Sequence, residues 1–342
     1  MQRRVVLVWT GFFLVVALCL AVDLGLVNKK AHAPTMREAV VASAVWVAIG
    51  LAFSAVVYLV YEFKWGGIGL EHHITGGRAA QEYVTAYLIE EALSVDNIFV
   101  MALVLRFFRV PAEYQHRVLF WGIIGAVLFR GLMIWAGIEL VTSFDWIFYV
   151  FGAVLLYTAW KMLFGDDDEI DPGTSWVVRA ATKVLPIDNK FHDIRFRTVV
   201  NGKRVFTLLF LVVLVVEATD VVFAVDSIPA ILGFTNESFI VMTSNVFAIL
   251  GLRSLYFVVA GAMREFRYLK LAVSVILVLV AIKMLMHDVL EAKEGDHTVA
   301  TISLIAVAGI LTIGIVASVI ANRRDAQKPA APAADPDKDS SS

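Results

Sequence analysis

The sequence predicts an all-α integral membrane protein of about nine transmembrane helices, with two inverted three-helix repeats and a cytoplasmic loop carrying a short β-hairpin. Three observations predict it. The 342 residues are 59% apolar, with a mean hydropathy of +0.77, whereas soluble domains sit near about 45–50% apolar. The apolar residues gather into runs of roughly 18–25, the length a helix needs to cross about 30 Å of hydrocarbon. Two sets of those runs also repeat one pattern of charge.

The runs fall at roughly 5–27, 39–62, 84–105, 118–141, 147–164, 206–232, 239–262, 268–288 and 299–321. Arg3 and Arg4 ahead of the first run, and "AHA" at 31–33, imitate a secretory signal. Its apolar core is longer than a signal peptide's, however, and Lys29 and Lys30 follow directly, so it reads as a span. Alternating the loops across the membrane places 20 lysines and arginines on one side and 5 on the other. The richer side is cytoplasmic by the positive-inside rule. The N-terminus then lies outside and the C-terminus inside.

The chain divides into two N-terminal spans with an external loop (1–82), a first three-helix repeat (83–164), a cytoplasmic loop (165–205), a second three-helix repeat (206–290), a last span (291–322) and a tail (323–342). The loop opens with "DDDEID", and Asn201-Gly202 between two β-prone runs signals a type I′ hairpin. The tail, rich in Pro, Ala, Asp and Ser, has too little apolar content to fold. A single cysteine, Cys19, excludes an intramolecular disulfide framework. A net charge of −2 leaves no basic footprint for nucleic acid.

"IEEALSVDNIFV" at 89–100 aligns without gaps on "TDVVFAVDSIPA" at 219–230, setting Glu90 on Asp220 and Asp96 on Asp226. "LFRGL" at 128–132 matches "GLRSL" at 251–255, setting Arg130 on Arg253, and "AWKML" at 159–163 matches "AIKML" at 281–285, setting Lys161 on Lys283. Each unit is three spans. An odd number inserts the second copy from the opposite face, the plan of secondary transporters whose sites lie at the midplane where the copies meet.

Glu90, Glu91, Asp96, Glu217, Asp220 and Asp226 all fall within spans. A carboxylate at the bilayer centre costs about 2.5–3.5 kcal/mol, so six bare ones exceed about 10 kcal/mol and must be paired, neutralised or wet. One reading pairs them with Arg130 and Arg253 as structural ion bridges. Six acids against two arginines leave a surplus, because Lys161 and Lys283 lie near span ends where they can snorkel to the headgroups. A negative, oxygen-rich cavity favours a cation. Glu90 and Asp96, like Asp220 and Asp226, lie about 120° apart around an ideal helix, so they converge on one ion only if the helix unwinds or several helices contribute. Pro229 should bend or break its helix around Asp226, freeing carbonyls to join Asn97 and Ser227. Ser94, Glu91, Glu217 and Asn245 are accessory candidates; Asn245 lines the cavity or bonds a neighbouring helix. "EHH" at 71–73 is an external landing site or plain surface. Oxygen donors without thiolate suit Mg2+, Ca2+ or Mn2+.

"EALSVDN" followed by "VVEATDVVFAVDSIPAI" resembles the paired signature of the TerC/Alx family of bacterial integral membrane proteins, over roughly residues 39–321. The resemblance implies a multi-span helical transporter related to the LysE-type exporters, with Glu90, Asp96, Asp220 and Asp226 as its motif acids, followed by Asn97 and Ser227. It also implies manganese efflux and metal homeostasis; the family takes its name from tellurite-resistance clusters.

The expectation is therefore a secondary transporter, not an enzyme, that exports Mn2+ or a similar divalent ion by proton antiport. The ion is cargo, and no prosthetic cofactor is expected. Proton coupling follows because carboxylates in a low-dielectric site hold protons more readily. No G-x-x-x-x-G-K-[ST] stretch occurs to bind ATP. The expected partners are the divalent ion and the lipid bilayer, with no nucleic acid; a homo-oligomer or stress-complex partners stay open. The alternative is a non-transporting membrane scaffold of a metal or tellurite stress-resistance complex. A third reading, an intramembrane hydrolase, has paired aspartates but no nucleophile–base set.

Overall fold

The computed structural model describes residues 2–25, 35–69, 74–164, 176–200, 202–261, 268–286 and 297–326. Outside them lie "EHH" at 71–73, the acidic run at 166–171, Asn201 of the hairpin loop and the segment 327–342.

Ten α-helices are present among the described residues: α1 Gln2–Gly25, α2 Met36–Glu62, α3 Gly76–Phe107, α4 Ala112–Ser143, α5 Ile147–Phe164, α6 Trp176–Val184, α7 Leu208–Leu232, α8 Ser238–Gly261, α9 Leu269–Leu285 and α10 His297–Ala326. Six of them, α2, α4, α5, α7, α8 and α10, are long and apolar enough to cross a membrane. By those measures α3 is disqualified by its charge, since Arg78, Glu82, Glu90, Glu91, Asp96 and Arg106 punctuate it. At 17 residues α9 is too short, and α1 supplies a shorter apolar stretch, Val5–Ala21. Side-chain caps fix two of the starts. Thr35 and Glu38 form a capping box ahead of α2, and Thr75 Oγ1 accepts from the Arg78 amide ahead of α3. At the other end α10 runs on to Ala326, through the first residues expected to belong to the tail.

Contacts along the helices set their directions. Asn97 in α3 meets Asp220 in α7, while Glu82 and Thr85 near the start of α3 line a small cavity with Phe234, just past the end of α7. The two acidic helices therefore run antiparallel. His116 meets Arg253 and Gly131 faces Met242, so α4 and α8 run antiparallel too. In contrast α4 runs parallel to α7, along a seam of glycines: Gly122 faces Val216, Gly125 faces Glu217, and Gly137 faces Ile228 and Leu232. Missing side chains let the two backbones approach closely, as at interfaces between membrane helices. Large apolar side chains such as Leu128, Trp135, Trp160, Ile305 and Ile313 point outward, the inverse of a water-soluble surface.

The α5–α7 connection folds on itself. β2 (Arg197–Val200) pairs antiparallel with β3 (Lys203–Thr207), and Val200 opposite Lys203 closes the expected two-residue hairpin loop. Gly202 there has φ +76°, the left-handed conformation such a turn requires. A third strand, β1 (Ile187–Asp188), pairs parallel with β3, giving the order β1-β3-β2. The unit is clasped to α4 and α7 by aromatic contacts. The Arg117 guanidinium lies 4.9 Å from the Phe196 ring centroid, Trp121 meets Phe196 edge-on, and Phe206 stacks on Phe210.

The expected break at Pro229 does not occur: α7 continues as one helix from Leu208 through Pro229 to Leu232, without unwinding near Asp226. Proline removes one hydrogen bond and crowds the Val225 carbonyl, but it stands within the last turn, where few following bonds depend on it. Lys283 also departs from the snorkelling expectation. Its Nζ lies 4.6 Å from the Phe234 ring centroid, and the side chain lines the cavity that holds Glu82, because an aromatic face and a buried acid are both within reach.

Candidate functional site

An intact helix decides which polar residues can act together. On α3, Glu90, Ser94 and Asn97 recur at i, i+4 and i+7 and share one face; on α7, Glu217, Asp220 and Ser227 do the same at i, i+3 and i+10. Those two faces meet. Between them enters Arg130 from the middle of α4, where it is 2% exposed, beside Glu90 at 0% and Asp220 at 5%.

The guanidinium divides its donors between the two acids that the sequence alignment superposes. Arg130 Nε donates to Asp220 Oδ2 at 3.0 Å and Nη2 to Asp220 Oδ1 at 2.8 Å, a bidentate fork. Nη1 donates to Glu90 Oε1. The Asn97 amide adds a donor to Asp220 Oδ1 at 2.5 Å. Asp220 thus accepts three hydrogen bonds, while Glu90 Oε2 is buried with no partner, as are the Ser94 and Ser227 hydroxyls. Desolvated ion pairs hold only when geometry and added hydrogen bonds repay the lost hydration. Asp220 meets that condition fully and Glu90 only in part.

The remaining candidates scatter. Asp226, about 120° around α7 from Asp220, accepts from Thr158 Oγ1 of α5 at 2.8 Å. Asp96 is half-buried on another face of α3 than Glu90. Glu91 Oε1 accepts from Tyr87 Oη at 2.6 Å. Glu217 lays its carboxylate into the notch at Gly125, where a Cβ would collide with it, and its Oε2 has no partner. Asn245 is fully buried with both amide atoms unpartnered. Arg253 reaches His116 in the first turns of α4, toward one end of the bundle.

The four motif acids therefore do not converge as the sequence suggested they could. Glu90 and Asp220 come together on Arg130, and Asp226 turns to α5. The angular separation read from the sequence holds, and without unwinding at Pro229 nothing cancels it. Among the described residues, no three carboxylate, imidazole or thiolate side chains stand close enough to hold a metal ion. What exists is a buried anionic pair that already holds a cation of its own. Thr158, Tyr87, His116 and Gly125 were missed by sequence reasoning; only Gly125 left a trace there, as a glycine inside an apolar span.

A second polar group lies near the start of α3. Arg78 Nε donates to Glu82 Oε1 at 2.7 Å, and Tyr61 Oη donates to Glu237 Oε2 at 2.9 Å.

Comparison with known proteins places these features among relatives. The sequence profile of the integral membrane protein TerC family matches residues 75–326. A Myxococcus xanthus protein named "Uncharacterized membrane protein STKORF319" is 42% identical over 315 residues, covering 92% of each chain. An Escherichia coli (strain K12) protein named "Putative membrane-bound redox modulator Alx" is 42% identical over 324 residues, covering 94% of this chain and 97% of its own. A Rickettsia felis membrane protein is 38% identical over 312 residues, covering 91% and 97% respectively. No solved structure matches the chain.

Proposed function

The chain belongs to the TerC family of integral membrane proteins, and on that premise we propose that it is a secondary transporter exporting a divalent metal ion, Mn2+ foremost, in exchange for protons. One observation carries the reading. Glu90 and Asp220, equivalent positions of the two repeats, meet in the interior beside buried oxygens of Glu90, Ser94 and Ser227 that lack any partner. Buried polar atoms are ordinarily satisfied, and orphaned oxygens around an anionic pair suit a visiting cation. Carboxylate, amide and hydroxyl oxygens favour a hard dication, and the same carboxylates can carry protons on the return.

The inverted-repeat plan supports transport and is supported in turn. The first helices of the two units, α3 and α7, run antiparallel, as do the second, α4 and α8. With α1, α3 and α9 spanning beside the six apolar helices, nine crossings set the termini on opposite sides of a bacterial inner membrane, and the excess of lysine and arginine favours the N-terminus outside with the α5–α7 connection cytoplasmic. The redox wording in the name of the Escherichia coli relative belongs to that protein. Here a lone Cys19 cannot form a dithiol–disulfide couple within one chain.

A scaffold of a metal or tellurite stress-resistance complex is the second reading, favoured by the fact that Arg130 already bridges three helices through Glu90 and Asp220. Metal flux in proteoliposomes under an imposed pH gradient, across a panel of divalent ions, separates the two. Transport predicts Mn2+ movement that depends on the gradient and is lost in Asp220→Asn; no flux of any ion, with normal assembly of the protein, favours the scaffold.

A further inference from the structure

The surroundings of Arg130 carry one step more, and it rests on the transport reading. We propose that the Arg130 guanidinium is a tethered stand-in for the cargo: it holds Glu90 and Asp220 while the site is empty and withdraws to Glu217 when a dication enters.

Arg130 occupies the place where the cargo belongs. It lies between the two repeat-equivalent carboxylates and contacts both, so a metal ion cannot bridge them until the guanidinium leaves. On the two helix faces that meet there stand Glu90, Ser94, Asn97, Asp220 and Ser227, all oxygen-bearing and all buried. Three of them, Glu90, Ser94 and Ser227, already have an oxygen without a partner.

Displacement requires a destination, because an unpaired buried guanidinium is strongly unfavourable. Glu217 provides one. It stands one turn before Asp220 on the same face of α7, and its carboxylate fills the notch at Gly125 on Arg130's own helix. Its Oε2 is buried and unpartnered. Gly125 lies five residues before Arg130, about 7.5 Å along the helix axis, and helical side chains lean toward the N-terminus. Gly125 also lies about 140° around α4 from Arg130, so the proposed exchange is a change of rotamer that swings the guanidinium across the α4–α7 seam from Asp220 to Glu217. Arg130 stays paired in both states; the Glu90–Asp220 pair keeps one negative charge against the guanidinium and none against a dication. Competition of this kind keeps the site from trapping its cargo and keeps two bare carboxylates from facing each other while the site is empty, with one negative charge left over for a returning proton.

Titration of Mn2+ into the purified full-length protein in detergent, read by calorimetry, tests the proposal. Arg130→Met removes the competitor and binds roughly tenfold tighter than the parent; Glu217→Gln removes the destination and binds roughly fivefold weaker. In the double variant the loss from Glu217→Gln disappears, since no guanidinium needs rehousing, a non-additivity that a merely structural role does not produce. If Arg130→Met does not fold, as judged by circular dichroism and gel filtration, Glu217→Gln breaks no ion pair and carries the test alone. Weaker binding by a folded Arg130→Met, or parental affinity in Glu217→Gln, overturns the exchange and leaves transport standing. Absence of Mn2+, Ca2+ and Mg2+ binding in the parent and in every variant overturns the transport reading and the exchange with it.

Discussion

On α3, the extra acid beside the motif is Glu91, and it is satisfied within its own helix by the Tyr87 hydroxyl at 2.6 Å. On α7, the position equivalent to Tyr87 is itself an acid, Glu217, and one of its oxygens has no partner. Both helices are continuous and both carry the motif acid that Arg130 holds. The two helices agree where they touch the shared arginine and differ one turn away. The added acid of α3 finds a donor within its own helix, and that of α7 leaves a carboxylate oxygen without a partner beside a neighbouring helix. The aligned motif acids thus mark the centre of the site, and the residues around them decide where charge is left available.

That comparison can be broken or sharpened by substitution, with thermal unfolding in detergent as the measurement. The largest effect is expected at Asp220, which accepts three hydrogen bonds: Asp220→Asn leaves the fork without its carboxylate and costs about 3–5 kcal/mol. Glu90→Gln, losing one bond, costs less, and equal losses would mean that the two acids are energetically equivalent after all. Next comes the notch. Gly125→Ala drives a Cβ into the Glu217 carboxylate and costs about 1–3 kcal/mol. Gly251→Ala, where a Cβ would lie 3.6 Å from Glu91 Oε1 and 3.5 Å from Trp46 Cβ, is neutral or slightly stabilising. A matching penalty at both glycines would erase the distinction between the two acids. The smallest destabilisation is at Tyr87→Phe, which removes the local donor to Glu91 and costs about 1 kcal/mol.

Much of this was legible in the sequence, because hydropathy length and helical angle are local properties. The six apolar spans, the hairpin at Gly202 and the separation of Asp220 from Asp226 follow from spacing alone. Arg130 as the counter-ion was readable from the count of buried charges, but its simultaneous hold on Glu90 and Asp220 depends on how three helices meet. The pairing of Arg253 with His116 and of Asp226 with Thr158 depends on the same tertiary contact. Pro229 misled because a proline's effect depends on how many turns follow it, and here less than one does. Strand β1 was missed because two residues give no periodic signal; the nine-residue α6 is strongly amphipathic, but a reading led by long apolar runs passes over a short helix with a polar face.

The glycine seam between α4 and α7 has a consequence for how firmly that pair is indexed. Interdigitated side chains normally act as teeth that fix one helix's height against its neighbour. Along Gly122, Gly125 and Gly137 one rack has lost its teeth, so polar contacts share the indexing: the Arg130–Asp220 fork and the Glu217 carboxylate seated at Gly125 set the height together. When the guanidinium lets go of Asp220, the seated carboxylate is left to hold the axial position of the helix that carries both acids.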